Sequence, residues 1–156
     1  MPSTLGPVPL RAEPTHWRPL VALELVAVGA LVVSMLATLA TPDRGVGTSA
    51  RVYEVLLVTA VFWLPPAVGL ATGVLDGGLL WALALAALPS LAWMVSVSAG
   101  YALRLALGEP LPIADSPLWA ISGAFLGFGL LTGVAGFAVG RAALLLRDRL
   151  GGRTPT

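Results

Sequence analysis

Long apolar runs alternate along this chain with short polar breaks rich in proline and glycine. The alternation predicts helices over about 20–40, 51–75, 79–107 and 117–146. At ~1.5 Å per residue the first run spans about 30 Å, the thickness of a bilayer core. The third is longer than a straight span needs, so it tilts, kinks or projects. The fold class this predicts is all-α: a polytopic integral membrane protein, a bundle of four transmembrane helices.

The fourth run organises the bundle. Gly123, Gly127, Gly129, Gly133, Gly136 and Gly140 recur along it. At about 100° per residue, Ser122, Gly129, Gly133, Gly136 and Gly140 share roughly a 60° arc, while Gly123 and Gly127 lie on a second face. Small residues let another backbone approach closely in lipid, so this arc is the expected helix-packing surface.

The polar breaks punctuate the runs. Residues 1–19 carry Pro2, Pro7, Pro9, Pro14 and Pro19 and read as a disordered, proline-rich tail. The loop 41–50 offers Ser49 as an N-cap. Asp76-Gly77-Gly78 reads as a tight turn, with Gly77 ending one helix and Asp76 capping the next. Ser116-Pro117 reads as an N-cap followed by proline at the first helical position. Residues 150–156 form a short polar tail. The motif Gly69-Leu70-Ala71-Thr72-Gly73-Val74 is echoed by Gly129-Leu130-Leu131-Thr132-Gly133-Val134, a weak sign of a duplicated hairpin.

Composition agrees with the pattern. The chain has 156 residues, 57% hydrophobic and 11% charged, against about 25% charged in a soluble domain. A net charge of +1 gives no reason to expect nucleic acid as a partner. Cysteine is absent, which excludes disulfides and thiolate chemistry. The first run exceeds a signal-peptide h-region of about 7–15 residues and contains Glu24. Arg11, Arg18, Arg141, Arg147, Arg149 and Arg153 lie on the side of the two termini, against Arg44, Arg51 and Arg104 on the other. That excess predicts a multi-pass protein of the cell membrane with both termini in the cytoplasm.

Glu24 is the ionisable residue that invites a function, because a carboxylate inside a membrane helix marks an ion or proton site by default. The plainer expectation is structural. At about four residues from the helix start, Glu24 can snorkel to the interface and meet the positive end of its own helix dipole. Leu23-Glu24-Leu25 in the first of four helices resembles the small multidrug resistance transporters. The resemblance covers that tripeptide and the helix count. The third and fourth helices and the loops are longer here, the family's Trp-Ser-Gly signature in the third helix is missing, and no residue role is carried over.

A second constellation comes from proline. Pro65, Pro66 and Pro89 fall near mid-depth on adjacent helices, with Trp63, Trp93 and Ser90 at a similar level. Missing N–H groups free carbonyls such as those of Val61 and Phe62, so a kink or local unwinding is expected there. Freed carbonyls, hydroxyls and indoles at that depth line a small cavity, as broken helices do in transporters, or else are ordinary repaired kinks. Arg104, Glu109 and Asp115, with Arg51 and Glu54, read as a solvated charged rim.

Catalysis has little to stand on. The single histidine, His16, lies in the proline-rich tail, so no histidine cluster for a metal or bis-histidine haem site can form. No cofactor is expected. The leading expectation is a non-enzymatic protein that works by helix packing as a subunit, scaffold or accessory factor. Its partners are the lipid bilayer and another membrane protein or a second copy of the chain. The alternative is a small oligomeric transporter or channel built on Glu24 or the proline kinks.

Overall fold

Each apolar run folds as a helix, and lone polar residues such as Glu24, Glu54 and Arg104 do not interrupt it. The computed structural model describes residues 18–40, 48–75, 77–108 and 117–151. The helices are α1 (Arg18–Ala40), α2 (Thr48–Val58), α3 (Leu64–Val74), α4 (Leu79–Ala106) and α5 (Leu118–Gly151), with a π-helical turn, Thr59–Trp63, joining α2 to α3. The described chain is all-helical, and four helical stretches are long and apolar enough to cross a membrane.

The helix ends differ from expectation in detail. Arg18 and Pro19 already belong to α1, and proline suits a first turn whose N–H groups have no partner. α2 begins at Thr48, so Ser49 sits inside the helix rather than capping it. Gly78, in extended conformation with ψ 147°, takes the N-cap position of α4. Asp76 itself, Ser116, Glu109, Asp115 and the two tails up to Trp17 and from Gly152 lie outside the described residues. The carbonyl of Pro117 accepts from Ala120 and Ile121, which puts Pro117 one place earlier than expected, at the N-cap. α5 runs on through Arg147, Asp148 and Arg149 to Gly151 instead of ending near 146. An i,i+1 ion pair between Arg147 and Asp148, at 3.8 Å and exposed, adds little to that extension.

The π turn has a local cause. Pro65 and Pro66 cannot donate, so the carbonyls four residues earlier lose their partners. The Leu64 N–H reaches back five residues to Thr59 rather than four to Ala60. In that register Val61 faces proline at both its α and π donor positions, so neither pattern supplies its carbonyl with a hydrogen bond. Val61 is also fully buried. Pro89 does the same to Leu85 in α4.

The helices run up, down, up and down. α2 and α3 form the second pass, α4 the third, α5 the fourth. Both the second and fourth passes therefore run in one direction, and α3 lies directly against α5. Glycine sets that contact. A Cβ on Gly69 would strike the Gly133 carbonyl, one on Gly73 the Phe137 carbonyl, one on Gly136 the Pro66 carbonyl and one on Gly140 the Leu70 carbonyl. Backbones this close bring Cα–H groups against carbonyl oxygens, a contact repeated along small-residue interfaces. Gly129 and Gly133 face α4 instead: their missing Cβ atoms lie 2.9 Å from the Ala86 carbonyl and 2.5 Å from the Ala86 Cβ. α1 packs on the other side of the bundle, against α2 and α4.

Candidate functional site

Glu24 lies on the packed seam of α1. Leu31 follows seven residues later and Met35 four after that, a spacing that puts all three on one face. Glu24 is 0% exposed, while Leu23, Leu25 and Val26 around it are 57%, 56% and 70% exposed. The carboxyl therefore turns into the bundle. It does not reach outward to an interface, which corrects the snorkelling expectation. Six residues past Arg18, it lies roughly 9 Å along the axis from the helix start.

Register places its neighbours. Leu31 packs with Ala60 and Trp93 in one core cluster. The second pass runs antiparallel to α1 and α4 runs parallel to it. Seven residues from Leu31, Glu24 is thus about level with Ala67 and Ala86 along the bundle axis. Ala67 is exposed and Ala86 packs its Cβ against Gly133 of α5, and neither side chain can donate a hydrogen bond. Accordingly, neither Glu24 Oε1 nor Oε2 has a hydrogen-bond partner. A carboxyl deprived of water and of donors is costly, and it is relieved by a proton, a bound cation or an entering donor.

The proline constellation divides. Pro65, Pro89 and Ser90 are fully buried. The missing Cβ of Gly129 lies 3.7 Å from both Pro65 Cγ and Ser90 Oγ, so these three meet between α3, α4 and α5. Ser90 Oγ has no partner and is the other buried side-chain oxygen, besides those of Glu24, left unpaired among the described residues. Pro66 is half-buried and lends its carbonyl to the Gly136 contact. Trp63 leaves the set: at 71% exposure it points away from the bundle. Trp63 shares an exposed stripe with Ala67, Leu70 and Val74, at helical spacing along the outward face of α3.

Trp93 is buried but engaged elsewhere. Its Nε1–H donates to Tyr53 Oη at 2.8 Å, and its ring meets Phe125 edge-on at 5.0 Å. Phe62 continues the cluster onto Phe125 and Phe128. Ser122, expected on the glycine arc, is buried beside Trp93, Leu118 and Trp119 in a groove between α4 and α5. Thr59 bonds its own helix at the Val55 carbonyl. The mid-depth residues thus do not line one shared cavity. What the structure offers is a buried acid at the level of two alanines, with a serine hydroxyl, a broken helix and an unpaired Val61 carbonyl within about two turns along the axis.

Sequence reasoning missed the Tyr53–Trp93 bond, since those residues are 40 positions apart. It also missed the inward aim of Glu24. The signal for that was present: Leu31, Ser34, Met35 and Thr38 fall with Glu24 within roughly a 100° arc of α1, although the rest of the helix is aliphatic on every side. Compared with known proteins, the chain matches no family model, no curated protein and no solved structure.

Proposed function

We propose that this chain is an integral protein of the cell membrane whose four passes place both termini in the cytoplasm, and that it acts as a small non-enzymatic transporter or channel in which Glu24 binds and releases a proton or another small cation. The observation that carries the reading is the burial of Glu24 at 0% exposure with both oxygens unpaired. A membrane protein gains nothing in stability from such a group, so its presence is best understood as functional. The other acids in the described helices, Glu54 and Asp148, are exposed. The π turn supports the same reading, because irregular backbone in the bilayer interior is tolerated where it serves a site.

The experiment uses the purified chain in liposomes loaded with a pH-sensitive dye. An acid pulse outside should acidify the lumen faster with the native chain than with Glu24→Gln. A hydrophobic carbodiimide should label Glu24 and abolish the difference. Native and Gln chains that leak alike, with Glu24 unlabelled, would sink the proposal.

The orientation has its own test. The arginine excess on the side of the termini motivates cytoplasmic ends. Reporter fusions at Asp76 and Leu150 should both read cytoplasmic, and a fusion at Gly45 should read external. Asp76 and Gly45 on the same side would mean that the second pass does not cross.

A second reading, a subunit or scaffold that docks through a helix face, is favoured by Gly123 and Gly127. A Cβ at either position would meet nothing within 4 Å, so this face of α5 is open to another membrane protein or a second copy.

A further inference from the structure

Toward the end of the bundle away from the glycine contacts, α1, α2 and α4 part around a cavity of about 210 Å³. Met35, Tyr53, Val97, Tyr101 and Arg104 stand on its walls. At ~30 Å³ per water molecule the space holds about seven waters, enough for a compact head group and a few carbons.

The walls differ in chemistry. Met35 and Val97 supply an apolar side. The polar side consists of donors. Tyr53 Oη already accepts from Trp93 Nε1–H, so the phenol is held in place with its own hydrogen still to give. Among the described residues neither that hydrogen, nor the Tyr101 hydroxyl, nor the Arg104 guanidinium has an acceptor. Thr38 also lines the cavity but spends its hydrogen on the Ser34 carbonyl at 2.9 Å. No carboxylate among the described residues lines the cavity, and the nearest acid in sequence to Tyr53, Glu54, is exposed. A guanidinium fork beside two phenols matches an oxyanion, which accepts in several directions at once.

We propose that this cavity binds an amphipathic oxyanion: a phosphate or carboxylate head held by Arg104, Tyr101 and Tyr53, with its first carbons between Met35 and Val97. The head is negative overall, so a zwitterionic lipid is a poor ligand. The apolar wall makes a bare anion a poor ligand too. The assignment is independent of the role given to Glu24.

The test is native mass spectrometry of the full chain in a neutral detergent. It is titrated separately with phosphatidylglycerol, dodecanoate, phosphatidylcholine and inorganic phosphate. One-to-one adducts are expected with phosphatidylglycerol or dodecanoate at roughly tenfold lower concentration than with the other two, a gap of about 1.4 kcal/mol. The stronger of the first pair identifies a bilayer lipid or a free acid as the source. Arg104→Gln should weaken those adducts roughly tenfold, and Arg147→Gln at the far end of α5 should leave them unchanged. Val97→Phe narrows the cavity from its apolar wall and should weaken them as well, which keeps the test open if Arg104→Gln does not fold. Undiminished adducts in both cavity variants, or equal binding of phosphatidylcholine, would overturn the assignment. Equal binding of inorganic phosphate would overturn it too.

Discussion

Glu24→Leu is expected to melt at a higher temperature in detergent than the native chain, with a gain of about 1–3 kcal/mol. Leucine has nearly the volume of glutamate and extends the apolar seam that Leu31 and Met35 already form. It removes two oxygens that nothing in the fold satisfies. Glu24→Gln keeps an unsatisfied polar head and should gain much less. The scale for comparison is Leu31→Ala on the same seam, which should lose about 2–5 kcal/mol as a buried leucine truncation. A loss from Glu24→Leu that approached that of Leu31→Ala would mean the carboxyl has a structural partner. The combination of higher stability with lost ion movement is the pattern of a residue kept for function at the expense of the fold.

Much of the architecture was legible because the hydrophobic runs are long and the breaks between them are chemically sharp. Asp76-Gly77-Gly78 separates two helices that would otherwise read as one, and the structure turns there. Pro65-Pro66 announced a break, since two missing donors must disturb the ladder. The form of the break was not legible. A π turn places its irregularity before the prolines, at Thr59–Trp63, with Trp63 exposed and Val61 buried. The choice between a kink and a π turn depends on which neighbours pack on each side.

The candidate site was legible as a residue and not as an environment. Glu24 stood out as an acid among apolar neighbours. Its depth along the helix suggested an escape to the interface, but direction decides the matter, and direction is set by how α1 docks. With aliphatic residues on every side of α1, the few polar positions Glu24, Ser34 and Thr38 give only a weak signal of its buried face. The donor-lined cavity was hidden for a related reason: Met35, Tyr53 and Arg104 sit on three different helices, and only docking brings them together.

Gly136→Leu is expected to be among the most damaging single substitutions in the chain. A Cβ there would strike the Pro66 carbonyl, with the Leu70 nitrogen 2.9 Å away, and both are backbone. No side-chain rotation can make room, so α3 and α5 must separate. That forfeits the close contacts along Gly69, Gly73 and Gly140 together, a loss of a few kcal/mol. Gly133→Leu meets the Ala86 Cβ and should push α4 from α5 by the same logic. The control lies on the same helix and asks for the same change. A Cβ on Gly123 or Gly127 would have nothing within 4 Å, so leucine there should leave the stability of the monomer within about 0.5 kcal/mol of native. Thermal unfolding of the four variants in detergent, with size-exclusion chromatography alongside, separates the outcomes. Equal tolerance at Gly136 and Gly123 would mean that α3 and α5 do not pack through glycine. A loss confined to Gly123 and Gly127, with the oligomer falling apart, would instead place the decisive contact between chains and favour the subunit reading. The expected result is the opposite order, because the clash at Gly136 is with backbone inside the same chain.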